Sequence, residues 1–539
     1  MPKRSDFHTV LIIGSGPVVI GQAGEYDYSG TQACRALKKL GYKVVLVNSN
    51  PAAVLSDPDT ADTTYIEPLD TATVEKIISR ERPDALLANF GGRTGLNLCM
   101  QLSKEGILSS HDVQIIGIPA AAMECAENRN SFKEIVHNLG IETPDSDIAT
   151  SLEEAEKILE RIDFPCAIRP SHAIAGSGGG LVYNLEEFRT VVNRGLSSSL
   201  IGQVLVEASV EGWDELELET IRDSKGQKIT VCCIENIDGM GIHSGDSLSV
   251  TPMVTVSSEL QNKLQEFAYT VLDDLDIVGC ANFRFAHNSN DGRIAAIGLD
   301  PRTSRVSTLA SKATGIPVAY TAALLAAGLT LDEIPFGKSG FLLDHTPARK
   351  SVAVKFPRWA FEKFTGAEDR LGAQMQAVGE VIGIGASFKE AFQKSIRSLE
   401  NQRLGPGFVR NFNQKSLSEL LGMLWRPTSE RIFILYEALR KGADIEELRE
   451  KTMMKPWFLE KLRELVALEE KIIACKDSAV PDSLVAEAKK DGFADGYLAE
   501  LIGISEEQFR RRRIELNIKE SFPAVDDSGQ WPHQDRSRY

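Results

Sequence analysis

The first 120 residues alternate short apolar runs with amphipathic segments. The apolar runs predict four buried strands, Thr9–Ile13, Tyr42–Val47, Ala85–Ala88 and Val113–Ile118. Ser29 is a candidate N-cap for a helix that reaches Leu40, and Gly41 is a typical helix stop. Buried strands separated by helices are typical of a parallel sheet with crossover connections. The pattern therefore predicts an α/β domain over residues 1–120.

Residues 121–400 combine helices with strands that follow one another more closely. The predicted strands are Cys166–Ile168, Val204–Glu207, Leu216–Ile221, Ile229–Ile234, Asn282–Ala286 and Ile294–Leu299. The predicted helices are Asn130–Leu139, Leu152–Ile162 and Leu260–Leu275. Neighbouring strands with short connections favour antiparallel hairpins. This part is predicted to be a domain of the α+β class.

The pattern is almost entirely helical beyond about residue 380. The predicted helices are Phe388–Leu399, Leu417–Leu424, Glu430–Lys441, Ile445–Lys451, Pro456–Cys475, Ser483–Asp491, Gly496–Ile502 and Glu506–Leu516. Short amphipathic helices with few glycines are typical of a packed all-α domain. We assign this domain to residues 401–520 and expect the polar tail, 521–539, to be disordered.

Composition then narrows the class of protein. The 539 residues include 60 Lys+Arg and 76 Asp+Glu, which gives a formal net charge of −16. Nucleic acids and anionic membranes both attract basic surfaces, so neither is predicted as the main partner. The hydrophobic fraction of 42% and the charged fraction of 25% are ordinary for a globular multidomain enzyme.

Cysteine usage and the start of the chain indicate a compartment. The 8 cysteines are scattered through mostly apolar runs, without a C-x-x-C pair, and are interpreted as buried free thiols in a reducing cytosol. The basic start, MPKRSDFHTVLIIGSGP, has too short an apolar run for a signal peptide. No apolar stretch approaches the ~18 residues of a membrane-spanning helix. We therefore expect a cytoplasmic protein.

A glycine turn after the first predicted strand is a candidate dinucleotide site. Gly14 and Gly16 have the spacing that starts such a fingerprint. However, Val19 stands where the fingerprint requires glycine, and Asn48 stands where an acidic residue holds the ribose. The sequence favours a glycine turn without a cofactor.

A second glycine cluster, from Gly176 to Gly180, follows a predicted strand that ends near Arg169. The backbone N–H groups of such a loop can bind phosphates, and an arginine nearby supplies compensating charge. Glycine-rich hairpins are also common without a ligand. These residues alone leave both interpretations open.

Five stretches together resemble the large chain of carbamoyl-phosphate synthetase. They are GSGPVVIGQAGEYDYSGTQACRAL, VNSNPAAVLSDPDTADTTYIEPL, IRPSHAIAGSGGG, GIHSGDSLSV and PRTSRVSTLASKATG. The resemblance runs over essentially the whole chain and corresponds to the amino-terminal half of that large chain. It implies a pre-ATP-grasp domain, an ATP-grasp domain that makes carboxyphosphate from bicarbonate and ATP, and a helical oligomerisation domain. It also implies a free-standing chain, without the family's second synthetase half.

The resemblance implies roles for individual residues. Arg302 and Arg305 are similar to the pair that grips bicarbonate and the transferred phosphoryl group, and His243 is similar to a residue at the phosphate end. These three are the candidate catalytic residues. The candidate nucleotide-binding residues are Arg129, Arg169, Gly176, Ser177, Gly178, Val210, Glu215, Gly241, Ile242, His243 and Arg284. Among them, Glu215 resembles the carboxylate that holds the ribose hydroxyls.

The metal-binding positions depart from the family pattern. The family has a Gln on one strand and a Glu and an Asn on the next, where this sequence has Arg284, Gly298 and Asp300. Hard cations need oxygen ligands, so only Asp300 is left to bind Mg or Mn, weakly if at all. Ala208 replaces a Glu near the adenine, and Arg93 stands in GGRTGLN where the family has GGQTALN.

Two interpretations of Arg284 follow. Either metal chemistry was lost and Arg284 only fills space, or its guanidinium supplies the positive charge that a metal ion once gave. Alternation along the predicted strand puts Phe283 and Phe285 on one face and Arg284 on the other.

Two hypotheses about function therefore stand side by side. The first is an enzyme that forms carboxyphosphate, impaired by the lost metal ligands and completed by a separate second half and a glutaminase subunit. The second is a non-catalytic, nucleotide-binding or structural subunit that keeps the fold. Both expect ATP or ADP as the ligand and a homo-oligomer as the assembly.

Overall fold

The computed structural model describes residues 3–22, 24–170, 178–199, 201–337, 340–344, 351–364, 366–476 and 479–519. The tail that the sequence pattern predicts to be disordered, 521–539, lies outside these ranges. The described residues form five-, four- and seven-stranded sheets, a short hairpin and a helical region. No helix within these ranges combines the length and the apolar character that a bilayer crossing needs.

The first sheet is parallel, as the buried strands predict. Its strands are β1 (Thr9–Ile13), β2 (Lys43–Val47), β3 (Thr63–Tyr65), β4 (Ala85–Leu87) and β5 (Gln114–Ile115), in the order β3-β2-β1-β4-β5. The helices of this part are α1 (Gly24–Lys39), α2 (Thr71–Glu81), α3 (Gly92–Lys104), α4 (Ile107–Ser110) and α5 (Ala120–Glu127). The prediction that Ser29 caps the first helix was wrong, because Ser29 lies inside α1 and its Oγ donates to the Glu25 carbonyl at 2.7 Å. Asn48 lies over the glycine turn after β1, where its Oδ1 accepts from the Gly16 N–H at 2.9 Å.

The second sheet has four antiparallel strands. They are β6 (Ser146–Ala149), β7 (Cys166–Pro170), β8 (Gly180–Val182) and β9 (Val204–Ala208), in the order β6-β9-β7-β8. The helices of this part are α6 (Arg129–Asn138), α7 (Leu152–Ile162) and α8 (Leu185–Ser198). Ser151 caps α7 by accepting the Glu154 N–H, so this helix begins where the sequence predicts.

The third sheet has seven antiparallel strands. They are β10 (Asp214–Arg222), β11 (Lys228–Asn236), β12 (Ser249–Thr251), β13 (Gly279–His287), β14 (Ile294–Asp300), β17 (Val352–Arg358) and β18 (Gly379–Gly385). Their order is β14-β13-β10-β11-β12-β17-β18. The strands β15 (Pro335–Phe336) and β16 (Gly340–Phe341) form the separate hairpin. The helices are α9 (Ser258–Asp274), α10 (Arg305–Thr314) and α11 (Val318–Ala326). Neither β17 nor β18 was predicted from the sequence. β18 reads GEVIGIG, and glycine is depleted in strands.

All eight predicted helices of the carboxy-terminal part form, with ends that differ by no more than about two residues. They are α12 (Phe388–Ser398), α13 (Leu417–Leu424), α14 (Arg431–Arg440), α15 (Ile445–Thr452), α16 (Pro456–Ile473), α17 (Asp482–Lys490), α18 (Asp495–Ile502) and α19 (Glu506–Glu515). Single-turn 3₁₀ helices span Val54–Ser56, Leu342–Asp344 and Phe361–Lys363, and 3₁₀ turns interrupted by a kink at Arg410 and Asn411 span Val409–Gln414.

The helical region and the seven-stranded sheet share one hydrophobic core. Phe356 of β17 lies with its ring centroid 6.2 Å from Phe433 of α14 and 6.5 Å from Phe392 of α12. Aromatic pairs at such distances bury large apolar areas and fix relative orientation. The helices are therefore packed directly on the sheet that carries the candidate site.

Candidate functional site

Three neighbouring strands of the seven-stranded sheet bring the predicted metal positions together. Glu217 of β10 lies opposite Arg284 of β13, which lies opposite Gly298 of β14. Asp300 follows Gly298 by two residues, and side chains two apart in a strand point to the same face. The strands β10, β13 and β14 thus present one continuous face of charged residues.

A bulge in β14 adjusts this face. Arg284 pairs with Gly298, but the next residue of β13, Phe285, pairs with Ala296. One residue of β14 is therefore not paired with a residue of β13. Phe283 and Phe285 are 3% and 2% exposed and belong to the core on the other face. The alternation predicted from the sequence is confirmed at these residues.

The guanidinium of Arg284 lies against Gly298. A Cβ atom built on Gly298 would be 2.8 Å from Nη2 of Arg284, and the same nitrogen is 3.9 Å from Oδ2 of Asp300. Burial by itself lowers the pKa of Arg284, but the carboxylates of Asp300, Glu215 and Glu217 outweigh burial and raise it above the usual value. Arg284 is therefore a fixed positive charge that occupies the space over Gly298.

The two predicted anion-binding arginines already contact the first domain. Arg302 donates from Nη1 to the Tyr26 hydroxyl at 2.7 Å, and Arg305 donates from Nε to Oε1 of Glu25 at 2.8 Å. Tyr26 and Glu25 begin α1, more than 270 positions earlier in the chain. Neither Tyr26 nor Glu25 was predicted as a site residue, because no local pattern reveals a contact over that separation.

Asp300 is an ionised carboxylate among several cations. Its Oδ1 accepts from Nη2 of Arg302 at 3.1 Å. Burial alone raises the pKa of Asp300, but the charges of Arg302, Arg284 and Arg93 outweigh it and hold the pKa below its usual value. The one predicted metal ligand that remains is thus engaged by arginine.

Three glutamates lie at alternate positions of β10, and two of them were not predicted as site residues. Burial, followed by the charge of Glu217, raises the pKa of Glu215 to about 8, and burial raises the pKa of Glu219 to about 8 as well. Asn236 donates to Glu217 at 2.8 Å, and Ser307 donates to Glu219 at 2.6 Å. The sequence signal was available, because the stretch DELELET places acidic residues with the period of a strand.

His243 is an uncharged ring near neutral pH. Burial, together with the positive charges of Arg284, Lys355 and Arg305, lowers its pKa to about 4. Its Nδ1 accepts from the Gly245 N–H at 3.0 Å, which leaves Nε2 as the nitrogen that carries the proton. Nε2 of His243 can therefore donate one hydrogen bond.

The remaining predicted nucleotide-binding residues lie on other segments. Gly241 and Ile242 are in the turn before His243, and Val210 is in the turn between β9 and β10, where its carbonyl accepts from Trp213 N–H at 3.1 Å. Arg169 of β7 pairs with Glu207 of β9 at 2.8 Å. Arg129 is the first residue of α6, and Gly178 comes just before β8 with a φ of +86°. Gly176 and Ser177 lie outside the described residues.

Across the described ranges, no group of three or more His, Cys, Asp or Glu side chains is arranged to hold a metal ion. On the paired strands β13 and β14, arginine and glycine stand at two of the three ligand positions that the resemblance implies. Of the nearby glutamates of β10, Glu215 and Glu217 interact electrostatically with Arg284, and Glu215 and Glu219 have raised pKa values.

Three family models match successive parts of the chain. The carbamoyl phosphate synthase preATP-grasp domain matches residues 6–125, the ATP binding domain of the carbamoyl-phosphate synthase L chain matches residues 128–334, and the oligomerisation domain of the large chain matches residues 380–517. The chain belongs to the carbamoyl-phosphate synthase large-chain family. The resemblance stated from the sequence motifs is confirmed.

Curated members of this family align with nearly the whole chain. The carbamoyl phosphate synthase large chain of Archaeoglobus fulgidus is 44% identical over 536 residues, which are 98% of this chain and 49% of the relative. The large chain of Synechocystis sp. has the same identity, 44%, and the same coverage, 98% and 49%. The chain spans about half the length of the curated relatives it matches.

Solved structures agree in fold. The biotin carboxylase domain of Hydrogenobacter thermophilus 2-oxoglutarate carboxylase has a TM-score of 0.56 at 14% identity and covers 86% of this chain and 99% of that one. N5-carboxyaminoimidazole ribonucleotide synthetase has a TM-score of 0.54 at 17% identity and covers 74% of this chain and 97% of that one. These likenesses support the predicted fold class, in which a parallel-sheet domain is followed by an ATP-grasp domain. The helical region is the third part of the predicted architecture.

Proposed function

We propose that the chain binds an adenine nucleotide over the face of β10, β13 and β14 and forms carboxyphosphate from ATP and bicarbonate at a reduced rate. The observation that carries this proposal is the convergence of positive charge. Arg284, Arg302 and Arg305 each lie close enough to His243 or Asp300 to shift a pKa there. A triphosphate and a bicarbonate are both anions, and planar guanidinium groups bind such oxygens in pairs.

In this reaction a bicarbonate oxygen attacks the γ-phosphorus of ATP. The bond from that phosphorus to the β–γ bridging oxygen breaks, so ADP leaves and carboxyphosphate remains. Arg302 and Arg305 would hold the attacking anion and the transferred group, and His243 would donate from Nε2 to a phosphoryl oxygen. Because His243 is neutral near pH 7, it contributes a hydrogen bond rather than a charge.

The residues present do not fit the divalent metal site that the family pattern implies. A guanidinium has no lone pair to offer, glycine has no side chain, and Asp300 already accepts from Arg302. We infer that Arg284 supplies positive charge to the nucleotide phosphates in place of a metal ion. The metals stabilise much of the charge in phosphoryl transfer, so this exchange lowers the rate while it keeps nucleotide binding.

A specific observation favours a second candidate, a nucleotide-binding subunit without catalysis. Both anion-binding arginines have carboxylate partners inside the protein, Arg302 with Asp300 and Arg305 with Glu25. Bicarbonate must compete with these partners before it can react. If it cannot, the site holds nucleotide and turns nothing over.

Calorimetric titration with ATP tests whether the protein binds nucleotide, which both candidate functions require. Wild type should bind ATP with similar affinity in excess magnesium and in excess EDTA. A parallel assay of ADP release with and without bicarbonate then distinguishes slow catalysis from binding alone. For the variant Arg284→Gln in the same titration, Arg511→Gln is the matched control. Arg511 is an exposed arginine of α19 that pairs only with Glu507 of the same helix among the described contacts.

We also propose an oligomeric state and partner chains for this protein. The match to the large-chain oligomerisation domain supports a homo-oligomer formed through the helical region. From the resemblance to the large chain, we also propose a second synthetase half and a glutaminase subunit as partners; the chain spans about half the length of the relatives it matches. Coexpression with candidate partner chains and co-purification would test this.

A further inference from the structure

A turn of the helical region reaches the strand that carries Glu215. The turn lies between α15 and α16 and is made by Met453, Met454 and Lys455. Met453 has a φ of +58° and ends α15, and Lys455 is the N-cap of α16. The turn therefore belongs to the part of the chain that matches the oligomerisation domain.

Lys455 joins two strands of the seven-stranded sheet. Its Nζ lies 2.6 Å from Oε1 of Glu235 at the end of β11 and 3.2 Å from Oδ2 of Asp214 at the start of β10. It also donates to Oγ1 of Thr255 at 3.0 Å. The side chains of Lys455, Asp214 and Glu235 are 19%, 11% and 0% exposed, so the ammonium compensates two carboxylates that are largely removed from water. Asp214 is directly followed by Glu215, the candidate ribose ligand.

Met453 contacts the loop before β10. A Cβ atom on Gly212 would lie 3.0 Å from Sδ of Met453, so the thioether packs against the Gly212 backbone. The N–H of Gly212 donates to the Met240 carbonyl at 2.9 Å, and the N–H of Met240 donates to the Trp213 carbonyl at 2.8 Å. Met240 directly precedes Gly241, so the turn also supports the segment that leads to His243.

We propose that the Met453–Lys455 turn is a positioning element for the nucleotide site and couples the helical region to nucleotide affinity. The proposal rests on the proposed function, since it assumes that nucleotide binds beside Glu215. Lys455 and Met453 touch no nucleotide themselves. They hold Asp214 and Gly212, and through these residues they orient Glu215 and the turn at Gly241.

The test compares ADP affinity, by calorimetry, with the thermal unfolding midpoint of the same variants. Lys455→Met and Asp214→Asn should each weaken ADP binding by about fivefold or more, and the double variant should be no weaker than the weaker single one. Lys455→Arg should restore most of the affinity, because a guanidinium reaches the same two carboxylates. Lys461→Met is the matched control, since Lys461 pairs with Glu464 on its own helix and should change nothing.

Equal ADP affinity in Lys455→Met and wild type would overturn this inference, as would losses that add in the double variant. If Lys455→Met fails to fold, Asp214→Asn is compared with His287→Gln, because Oδ2 of Asp214 lies 3.1 Å from Nδ1 of His287 as well as 3.2 Å from Nζ of Lys455. Wild-type ADP affinity in Asp214→Asn, or an equal loss in His287→Gln, would also overturn the inference. A wild type that binds no ADP would overturn the proposed function together with this inference, so the two failures are distinguishable.

Discussion

The guanidinium of Arg284 and the bare backbone of Gly298 form one structural unit. The two residues are direct partners across β13 and β14, and a Cβ on Gly298 would lie 2.8 Å from Nη2 of Arg284. A side chain at position 298 would have to displace the tip of the arginine. Glycine at position 298 therefore provides the space that the guanidinium of Arg284 fills.

Gly298→Ala tests this unit. The atom that must move is the tip of a flexible side chain, so we expect the free energy of unfolding to fall by only about 1 kcal/mol or less. The displaced guanidinium should nevertheless weaken ATP binding in EDTA. Calorimetry and urea unfolding measure the two effects. Gly379→Ala is the control, because an added Cβ at Gly379 meets no atom within 4 Å. Unchanged ATP affinity in Gly298→Ala would contradict the coupling.

Arg284→Gln should weaken ATP binding in EDTA by at least about tenfold, because a charge-assisted hydrogen bond contributes about 1.5–3 kcal/mol. Wild-type affinity should be the same with magnesium and with EDTA. The alternative is that Arg284 only pairs with Asp300 and closes the cleft. In that case the variant would bind ATP like wild type, or wild type would bind no nucleotide.

Wild-type bicarbonate-dependent ATP hydrolysis should be about a thousandfold below that of an intact family member, since losing metal stabilisation costs several kcal/mol in the transition state. The triple variant Arg284→Gln, Gly298→Glu, Asp300→Asn restores the family pattern. It should gain hydrolysis that depends on magnesium, whereas Gly298→Glu alone should not. A wild-type rate that matches an intact family member would refute the prediction.

Glu219 should make stability depend on pH. Its pKa is raised to about 8 in the folded protein, from an ordinary value near 4.5, so the folded state keeps a proton that the unfolded chain releases in between. The contribution of the protonated Glu219 to the free energy of unfolding is complete below about pH 4.5 and is lost as pH rises through 8. Relative to Glu219→Gln, wild type should therefore lose on the order of 3 kcal/mol of unfolding free energy between pH 5 and pH 8. Parallel pH profiles for the two proteins in urea unfolding would contradict the assignment.

The helical region should assemble the chain into dimers or larger species. A 59.0 kDa particle in light scattering at micromolar concentration would refute this expectation. If assembly occurs, nucleotide affinity measured across a dilution series should follow the oligomeric state, because the Met453–Lys455 turn connects the two regions.

Much of this protein follows from local sequence. The buried runs of the first sheet, the eight carboxy-terminal helices and the face assignment of Arg284 all follow from periodicity, because repeats of two and 3.6 residues report local geometry. Strand ends were less accurate. Strands β10, β11 and β13 each run for nine residues because they continue through polar positions such as Asp214, Asn236 and His287.

The tertiary structure alone decided which residues meet. Tyr26 reaches Arg302, Gly298 lies beneath Arg284, and Lys455 joins Asp214 to Glu235, across separations in sequence of up to 276 residues. Sequence periodicity carries no information on such pairs, because strand register and the packing of one layer on another set them. The residue types present were readable from the chain. The tertiary structure alone shows that the charged side chains compensate one another and that Gly298 leaves space for Arg284, because these residues lie on neighbouring strands.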